Sequence, residues 1–291
     1  MSSFIRSFLF APAANSKLVA SAAAKPCDAV ILDLEDGTHP SLRDAARAGL
    51  AAAYEQLESA GKTVAVRING DLLTAVTDLR AAVRPGLNLL VLPKVEHARD
   101  VQLLAGAVAA LEAENRLPAG HVRFMLQIES AAALPRLHDI AAADPRVMGM
   151  MLGSEDFSLD CGCLPTADAL LVPSLMVLHA SRAARIQPIG FVGSIADLGS
   201  VEDFKLTLER ARALGFRGAV VVHPKFIDAI HACFGATPEQ WADARRIVTA
   251  FEEADARGEG AIRVDGQMVD KPVYHRALRW LQDQGSPPKI R

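Results

Sequence analysis

The chain alternates short runs of β-branched and aliphatic residues with longer alanine- and leucine-rich segments of helical periodicity. This alternation constrains the fold more than any other feature, because parallel strands are joined by helices that cross back over the sheet. Eight of the short runs are predicted to be strands. They are residues 6–10, 29–34, 63–68, 89–93, 123–128, 147–152, 186–192 and 218–223.

The intervening segments are long enough to be crossover helices, among them residues 40–59, 97–116, 165–185 and 200–214. Eight strands with such crossovers in 291 residues predict an α/β fold, a (β/α)8 TIM barrel that occupies residues 1–235. The strand count leaves one alternative open, which is a doubly wound open sheet.

Two further helices are predicted after the eighth strand, at residues 238–257 and 272–284. They are joined by a glycine-rich segment, GEGAIRVDGQMVDKP. We therefore expect residues 236–291 to form a C-terminal helical extension whose connecting segment folds over the barrel mouth as a lid.

Charge and hydropathy limit which partners and which compartment are expected for this protein. Lys and Arg total 31 against 34 Asp and Glu, and no block of basic residues is present, so a nucleic-acid partner is not expected. No apolar run approaches the roughly 18 residues that a membrane span needs, and the N-terminus lacks a secretory pattern. We expect a soluble cytoplasmic protein, in which the four scattered cysteines, including Cys161 and Cys163, have no disulfide or metal role.

Polar side chains follow most of the predicted strands. In a barrel, residues at the carboxyl ends of the strands converge on one mouth, where catalytic groups lie. This mouth is predicted to be acidic with a few basic groups, which suits a hard metal ion and an anionic substrate. The residues concerned are Asp33, Glu35, Asp36, Arg67, Lys94, Glu96, Glu129, Glu155, Asp156, His223 and Lys225.

Carboxylates with few histidines or thiolates beside them favour Mg2+ or Mn2+ over zinc. Glu129 and Asp156 are the predicted ligands, although either could instead cap the helix that follows it. Arg67 is predicted to hold a substrate carboxylate in bidentate fashion, or else to neutralise the acids after strand two. Lys94 is predicted to pair with Glu35 or Asp36, which would keep its pKa high and argues against an imine-forming lysine.

Two histidines lie near predicted strand ends. His39, in DLEDGTHP, is either a general base or a surface histidine in a turn before proline. His223, in VVVHPK, is predicted to be a buried, hydrogen-bonded histidine at the barrel rim.

Taken together, the motifs resemble the citrate lyase beta subunit-like branch of the HpcH/HpaI aldolase superfamily, which includes malyl-CoA and citramalyl-CoA lyases. The resemblance covers nearly the whole chain. Each motif alone is weakly specific, but their common order is highly specific. The motifs are RSFLFAP, DAVILDLEDGTHPSLRDAAR, VRIN, VLPKVE, QIES, MLGSEDFSLDCG, ARALGFRGAVVVHPKFI and GQMVDKP.

The resemblance implies a barrel of the phosphoenolpyruvate/pyruvate type with Mg2+ bound by Glu129 and Asp156. It implies that Arg67 contacts the keto acid, that Phe10 and Lys17 line the substrate site, and that Asp270 of GQMVDKP is an acid–base group. In such relatives this acid comes from a neighbouring subunit, which implies a homo-oligomer, a trimer or a hexamer. Lys94 and the two acids Glu35 and Asp36 would then support the metal site through bound water.

The implied reaction is cleavage or formation of a 3-hydroxyacyl-CoA, with an α-keto acid and an acyl-CoA as the partners. Two departures from the family pattern bear on the substrate. Only Lys17 and Lys25 remain near the first helix to meet CoA phosphates, and Thr38 replaces a small apolar residue beside His39.

Three alternatives stay open. The first is a CoA-independent class II aldolase acting on 4-hydroxy-2-keto acids with a histidine base, although Asp36 stands where those aldolases have histidine. The second is a thioesterase acting on malyl-type CoA esters. The third is a non-catalytic subunit of a larger lyase, which would have no need of a proton-transferring Asp270.

Overall fold

The structure is a computed structural model and describes residues 4–235 and 237–284. The chain divides into two compact units, one of residues 5–231 and one that begins at residue 232. The ends of the two predicted domains, residues 1, 236 and 291, lie outside the described residues. Each unit is described in turn.

Within the described residues, eight parallel strands form the sheet of the first unit, in the order β7-β6-β5-β4-β3-β2-β1-β8. The two end strands meet through backbone bonds, from Arg217 N to Pro188 O at 3.0 Å and from Gly190 N to Gly218 O at 2.8 Å. The predicted barrel is confirmed. The alternative, a doubly wound open sheet, is wrong, because the strands follow one another in sequence around a closed ring and the strand order never reverses. The strands are β1 (Ser7–Pro12), β2 (Ala29–Asp33), β3 (Thr63–Arg67), β4 (Leu89–Leu92), β5 (Arg123–Ile128), β6 (Val147–Leu152), β7 (Gln187–Pro188) and β8 (Ala219–Val221).

The strands are buried on both faces, as expected for a sheet that packs side chains inside and helices outside. Every residue of β2 and β4 is buried. One cluster of small and aliphatic side chains fills the barrel interior from strand to strand. Its buried members are Phe8, Ala29, Ile31, Ala65, Leu89, Val91, Met125, Met151, Ile189 and Val220.

The predicted bounds of β5 and β6 are confirmed residue for residue. The seventh strand is much shorter than predicted, two residues in place of the run 186–192. Pro188 has no N–H to continue the ladder, and Gly190 adopts φ +131°, which turns the backbone out of the sheet.

Helices follow the strands and cover the barrel. The predicted helix 40–59 begins as a 3-10 turn, Pro40–Leu42, because proline suits the first helical position. The helices predicted at residues 97–116, 165–185 and 200–214 begin and end within a few residues of their predicted bounds. The helices of the barrel unit, with those for which no bounds were predicted, follow in chain order. They are α1 (Ser16–Ala23), α2 (Arg43–Ser59), α3 (Leu72–Ala82), α4 (Ala98–Glu114), α5 (Leu137–Ala141), α6 (Ser154–Cys161), α7 (Ala167–Ala183), α8 (Val201–Leu214) and α9 (Ile227–Phe234).

The second unit contains α10 (Pro238–Asp255) and α11 (Lys271–Gln284), joined by two antiparallel strands, β9 (Ala261–Val264) and β10 (Gln267–Asp270). The helices predicted here are confirmed, but the joining segment is a β-hairpin and not an irregular loop. Asp265 and Gly266 adopt φ of 51° and 81°, the conformation of a tight hairpin turn.

Across the described residues, no helix combines the length and apolar character needed to cross a membrane.

Candidate active site

The carboxyl ends of β2 and β3 hold a buried ion pair. Asp33, the last residue of β2, accepts hydrogen bonds from Arg67 Nε at 2.8 Å and Nη2 at 2.7 Å. The strands are in register so that Asp33 lies opposite Arg67. Asp33 also accepts from the backbone N–H groups of Glu35 and Gly37, and thus shapes the turn after β2.

Arg67 is held from two further sides. Its Nη1 lies 3.3 Å from Glu35 Oε2, and its guanidinium stacks 4.8 Å from the centre of the Phe10 ring. Burial opposes the charged form, but the hydrogen bonds and charge of Asp33 raise the pKa of Arg67 above its ordinary value. The guanidinium is therefore a permanent, oriented cation at the barrel mouth.

Lys94 links Glu35, which follows β2, to Glu129, which follows β5. Its backbone is in the left-handed region at φ 53°, which is uncommon for a residue with a side chain. In this conformation its N–H donates to Glu129 Oε2 and its Nζ donates to Glu35 Oε1, both at 2.8 Å. Although partial burial opposes it, bonding to Glu35 raises the pKa of Lys94, so the side chain stays an ammonium and not a free amine.

Glu129 follows β5 and is buried, with 4% of its surface exposed. Gln127 Nε2 donates to Glu129 Oε1 at 2.5 Å. Burial first, and then the charges of Glu35 and Asp156, raise the pKa of Glu129 to about 8. Three carboxylates thus repel one another at a site where a cation would relieve the repulsion.

The junction between β6 and α6 is built around Glu129. Gly153 donates its N–H to Ile128 O at 2.8 Å, and its backbone passes against the Glu129 side chain. A Cβ at this position would lie 2.5 Å from Glu129 Cγ and 2.6 Å from Oε1. Only glycine lets the start of α6 approach the carboxylate this closely.

Asp156 lies in the first turn of α6 and is half-buried. In the part of the chain that the structure describes, its carboxylate has no hydrogen bond or ion pair. Its neighbour Glu155 differs, because Glu155 Oε1 accepts from Ser194 Oγ at 2.7 Å. The Asp156 carboxylate is therefore available to a cation.

Arg67, Gln127 and Asp156 from this cluster line a cavity of about 250 Å³ in the barrel mouth. Its polar edge includes Arg67 and Asp156, and the rest of its wall is largely apolar. Gln127 Oε1 and Ser174 Oγ are buried in this wall and have no hydrogen-bond partner among the residues that the structure describes. The lining residues include Phe10, Asp36, Arg67, Gln127, Met151, Glu155, Asp156, Ser174, Ile189, Val220 and Val222.

The residues present fit a hard divalent ion held partly by other ligands. No group of three or more His, Cys, Asp and Glu side chains within the described residues is arranged as a metal cage. Mg2+ does not require one, because it is commonly held by one or two carboxylates together with water and substrate oxygens. The raised pKa of Glu129 and the unpaired Asp156 carboxylate suit this kind of site.

Among the other predicted site residues, Asp36 is exposed and lines the cavity. Lys17 is exposed in the first turn of α1, and Lys25 follows that helix. Asp270 belongs to the second unit, where its Oδ1 accepts from Val273 N at 3.1 Å and caps α11.

The two histidines act as helix caps. His39 Nδ1 is 2.8 Å from Ser41 Oγ and also accepts from Ser41 N, as expected for a histidine in an exposed turn. His223 accepts from Lys225 N at 3.1 Å but is exposed, so the prediction that it is buried is wrong. The short strand β8 ends at Val221, two residues before it, which leaves His223 outside the barrel wall.

The sequence predicts Asp33 only as one of the acids at the barrel mouth, with neutralisation of these acids as one of two alternatives for Arg67, and it assigns no role to Gln127. Asp33 is the first acid of DLED, and the pleat of the strand could have identified it, since Asp33 and Arg67 end adjacent strands. Gln127 lies two residues before Glu129 and therefore on the same face of the backbone.

Cys161 and Cys163 are free and exposed.

Comparisons with known proteins agree with this geometry. The family described as HpcH/HpaI aldolase/citrate lyase matches residues 6–224. Citrate lyase subunit beta of Leuconostoc mesenteroides subsp. cremoris is 32% identical over 280 residues, which cover 95% of this chain and 92% of the relative. L-malyl-CoA/beta-methylmalyl-CoA lyase of Cereibacter sphaeroides (strain ATCC 17025 / ATH 2.4.3) is 33% identical, covering 90% of this chain and 89% of the lyase.

A similar solved structure is that of protein CitE from Mycobacterium tuberculosis in complex with magnesium, acetoacetate and coenzyme A. It superposes with a TM-score of 0.74 at 30% sequence identity, and the match covers 97% of this chain and 98% of that one.

Proposed function

Because the chain belongs to the HpcH/HpaI aldolase/citrate lyase family, we propose that it is a Mg2+-dependent carbon–carbon lyase. Its substrate is a 3-hydroxyacyl-CoA such as malyl-CoA or citramalyl-CoA, cleaved to, or formed from, an acyl-CoA and an α-keto acid. The observation that carries the proposal is the cluster of Glu129, Asp156 and Arg67 at one end of the barrel.

In this proposal Glu129 and Asp156 hold the metal ion, and Lys94 holds Glu129 in place through its backbone N–H. The bound ion supplies Lewis-acid stabilisation of negative charge on the keto acid oxygen. Glu35 and Asp36 add negative charge nearby and can bind water around the ion.

Arg67 binds the carboxylate of the keto acid. Asp33 engages two of the five guanidinium N–H groups, and it fixes the plane of the group by doing so. Of the remaining three N–H groups, the two on Nη1 lie beside Glu35, and Arg67 lines the cavity in which the carboxylate would bind. Since the arginine is already oriented, little conformational entropy is lost when the substrate binds.

Cleavage breaks the bond between the acyl α-carbon and the hydroxyl-bearing carbon. The electron pair of that bond goes to the α-carbon, which gains a proton, while the hydroxyl loses a proton and becomes the keto group. Asp270 is the proposed group that moves the proton at the α-carbon. The proposal includes a homo-oligomer, trimeric or hexameric, in which residues 236–291 of one chain cover residues 1–235 of its neighbour.

Two of the alternatives lose support from particular residues. A free-acid aldolase needs a histidine base, but His39 and His223 are exposed caps of short 3-10 helices, Pro40–Leu42 and Pro224–Phe226. In a purely accessory subunit, acids that repel one another around Glu129 would serve no purpose, because this repulsion lowers the free energy of unfolding.

The test is to incubate the purified chain alone with malyl-CoA or citramalyl-CoA, with Mg2+ or with a chelator, and to measure the products. A lyase yields a keto acid and an acyl-CoA only when Mg2+ is present. Free CoA and a hydroxy acid without keto acid would indicate a thioesterase. No turnover of either ester by the chain alone, with Mg2+ bound, would contradict the proposal and favour an accessory subunit.

The chain offers a matched pair of variants for this assay. Asp156 and Asp168 are both acids in the first turn of a barrel helix, α6 and α7. Asp168 is exposed and does not line the cavity. Asp156→Asn should abolish Mg2+-dependent cleavage, whereas Asp168→Asn should retain it.

A further inference from the structure

A second buried polar network lies behind the acids that follow β2. At its centre is Asp78 of α3, whose side chain is entirely buried. Asp78 Oδ1 accepts from Arg47 Nε of α2 at 2.7 Å, and Asp78 Oδ2 accepts from Asn69 N at 2.8 Å and from Asn69 Nδ2 at 2.7 Å. A buried carboxylate is tolerated when it is paired in this way. None of the three residues belongs to the described lining of the cavity in the barrel mouth, so contact with a substrate does not explain the network.

The Asn69 side chain takes the place of a backbone group in the sheet. Leu34 N donates to Arg67 O at 3.0 Å, which continues the parallel ladder of β2 and β3. A regular ladder would go on with a bond from Asn69 N to Leu34 O. Asn69 N donates instead to Asp78, and Asn69 Nδ2 donates to Leu34 O at 2.9 Å. A side chain therefore keeps Leu34 paired at the point where the backbone of β3 leaves the barrel wall.

Leu34 lies between the two acids that hold Arg67. Asp33 precedes it and Glu35 follows it, and Glu35 also binds Lys94. The position of the Leu34 backbone therefore determines where the Glu35 carboxylate lies relative to the two cations.

One buried carboxylate anchors both ends of the segment 34–42, which joins β2 to α2. At the start of the segment, Asn69 links Leu34 O to Asp78. Beyond its end, Arg47 of α2 binds the same carboxylate. A segment fixed at both ends has few conformations available, so little further conformational entropy is lost when its acids are held in place.

We propose that Asn69 and Asp78 are positioning residues of this enzyme. They hold the Glu35 carboxylate between Arg67 and Lys94, and in this way they keep Arg67 in the orientation that binds its ligand. Neither residue touches the ligand, and both act through the backbone after β2. The inference rests on the proposed function, in which Arg67 binds the carboxylate of the keto acid.

Amide hydrogen exchange of the full chain, followed by mass spectrometry, tests whether Asn69 holds this segment. Asn69→Ala removes the bond to Leu34 O, so the amides of residues 35–38 should exchange at least about fivefold faster than in the wild type, because local opening costs less free energy. Asn88→Ala is the matched control. Asn88 Oδ1 accepts from Val64 N at 2.8 Å and completes the ladder near the other end of β3, so its loss should leave residues 35–38 unchanged.

Calorimetry with pyruvate as the probe keto acid, in saturating Mg2+, tests whether the held segment matters to the site. Asn69→Ala should bind pyruvate at least about fivefold more weakly than the wild type, because Arg67 is less well oriented. Asn88→Ala should bind it as the wild type does. Both variants lose one buried hydrogen bond and should unfold at lower denaturant concentration. A merely structural role of Asn69 would lower the unfolding midpoint and leave the pyruvate affinity of the folded protein unchanged.

A second pair of variants tests the anchor at Arg47. Asp78→Asn removes the buried charge that binds this arginine, whereas Asp44→Asn removes its other partner, which is 96% exposed. Asp78→Asn should accelerate exchange at residues 35–38 and weaken pyruvate binding, and Asp44→Asn should do neither. If Asp78→Asn does not fold, Asn69→Ala decides the proposal.

The outcomes separate this inference from the proposed function. Unchanged exchange at residues 35–38 in Asn69→Ala overturns the inference, and so does faster exchange combined with wild-type pyruvate affinity. Equal losses of pyruvate affinity in Asn69→Ala and Asn88→Ala overturn it as well, since stability alone would then explain them. If the wild-type chain binds no pyruvate in a Mg2+-dependent manner, the proposed function fails, and the exchange comparison alone decides whether Asn69 holds the segment.

Discussion

At the scale of single residues, the site is a series of linked charges, buried except for the exposed Lys94, in which each group is held by the next. Asp33 holds Arg67, Arg67 and Lys94 hold Glu35, and Lys94 holds Glu129. Ion pairs of this kind contribute little net stability when intact, because desolvation offsets attraction, but the loss of one partner is costly. Substitutions in this chain of contacts should therefore affect both folding and ligand binding.

The substitution Asp33→Asn removes the negative partner of Arg67 without a change of size. It should lower the free energy of unfolding by about 3 kcal/mol, since a buried guanidinium is left without its main counter-charge. Keto acid affinity should also fall, because the guanidinium loses its orientation. Denaturant unfolding and calorimetry measure the two effects. Asp243→Asn, which breaks an exposed pair with Arg246, is the control and should leave both nearly unchanged.

Glu129 should make Mg2+ binding depend on pH. Its pKa of about 8 lies above the ordinary 4.5, so the metal-free folded protein keeps a proton that the ion must displace. Mg2+ affinity should therefore rise by up to about tenfold per pH unit below pH 8 and level off above it. By the same linkage, the metal-free protein loses stability as the pH rises from 4.5 to about 8.

Calorimetry across that range measures the affinity, and thermal unfolding of the metal-free protein measures the stability. Glu35→Gln, which removes one of the two repelling charges, should shift both profiles to lower pH. A Mg2+ affinity independent of pH between about pH 6 and pH 8 would show that Glu129 is not a ligand that must lose a proton.

Sequence reasoning at this scale predicted the residues that end strands and missed those that support them. Arg67, Glu129 and Lys94 could be predicted because their strands are easily recognised and the barrel brings strand ends together. The pattern does not single out Asp33 among the acids after strand two as the main partner of Arg67, nor Gln127 as a partner of Glu129, because these contacts depend on side-chain packing. The exposure of His223 depends on where β8 stops, which its apolar run did not predict.

At the scale of secondary-structure elements, the junctions after the strands position the chemistry. The sequence predicted strand bounds well where hydrophobic runs are continuous, as in β5 and β6. The predicted bounds are wrong where the backbone conformation of single residues ends a strand or makes a turn. These places are Pro188 and Gly190, where β7 ends, and the Asp265–Gly266 turn. The glycine content of GEGAIRVDGQMVDKP indicates only a connecting segment, although Asp-Gly between alternating residues favours a hairpin.

The close approach of α6 to Glu129 gives a prediction at this scale. Gly153→Ala should displace the Glu129 carboxylate, because the new Cβ would lie 2.6 Å from Oε1, and Mg2+ affinity should fall at least about tenfold. Gly106→Ala in α4 is the control, since its Cβ meets nothing within 4 Å, and it should keep Mg2+ affinity while slightly favouring the helix. Mg2+ titrations of the two variants give the comparison. Wild-type affinity in Gly153→Ala would mean that Glu129 does not depend on this junction.

At the scale of the whole molecule, the barrel unit contains the residues proposed to bind the metal and the keto acid, and the second unit contains Asp270. If the acid acts in a neighbouring chain, two inactive variants should complement each other. Glu129→Gln and Asp270→Asn, each inactive alone, should regain activity when they are unfolded and refolded together. Mixed oligomers then contain some sites with both groups intact.

Steady-state assays of the mixture, with each variant refolded alone as the control, measure this recovery. Asp270→Asn alone should keep wild-type Mg2+ and keto acid affinity, since only proton transfer is lost. A mixture no more active than its components, in oligomers that have been shown to exchange chains, would place Asp270 in its own chain's site or outside any site.

The central claim is that Glu129 and Asp156 bind the divalent ion beside Arg67. Titration with Mn2+ followed by electron paramagnetic resonance tests it most directly, because the free ion is counted without any assay of turnover. The account predicts a single tight Mn2+ site in the wild-type chain, a change in its signal when pyruvate is added, and loss of the site in Glu129→Gln and Asp156→Asn but not in Asp168→Asn. Wild-type Mn2+ binding in both Glu129→Gln and Asp156→Asn would contradict the account.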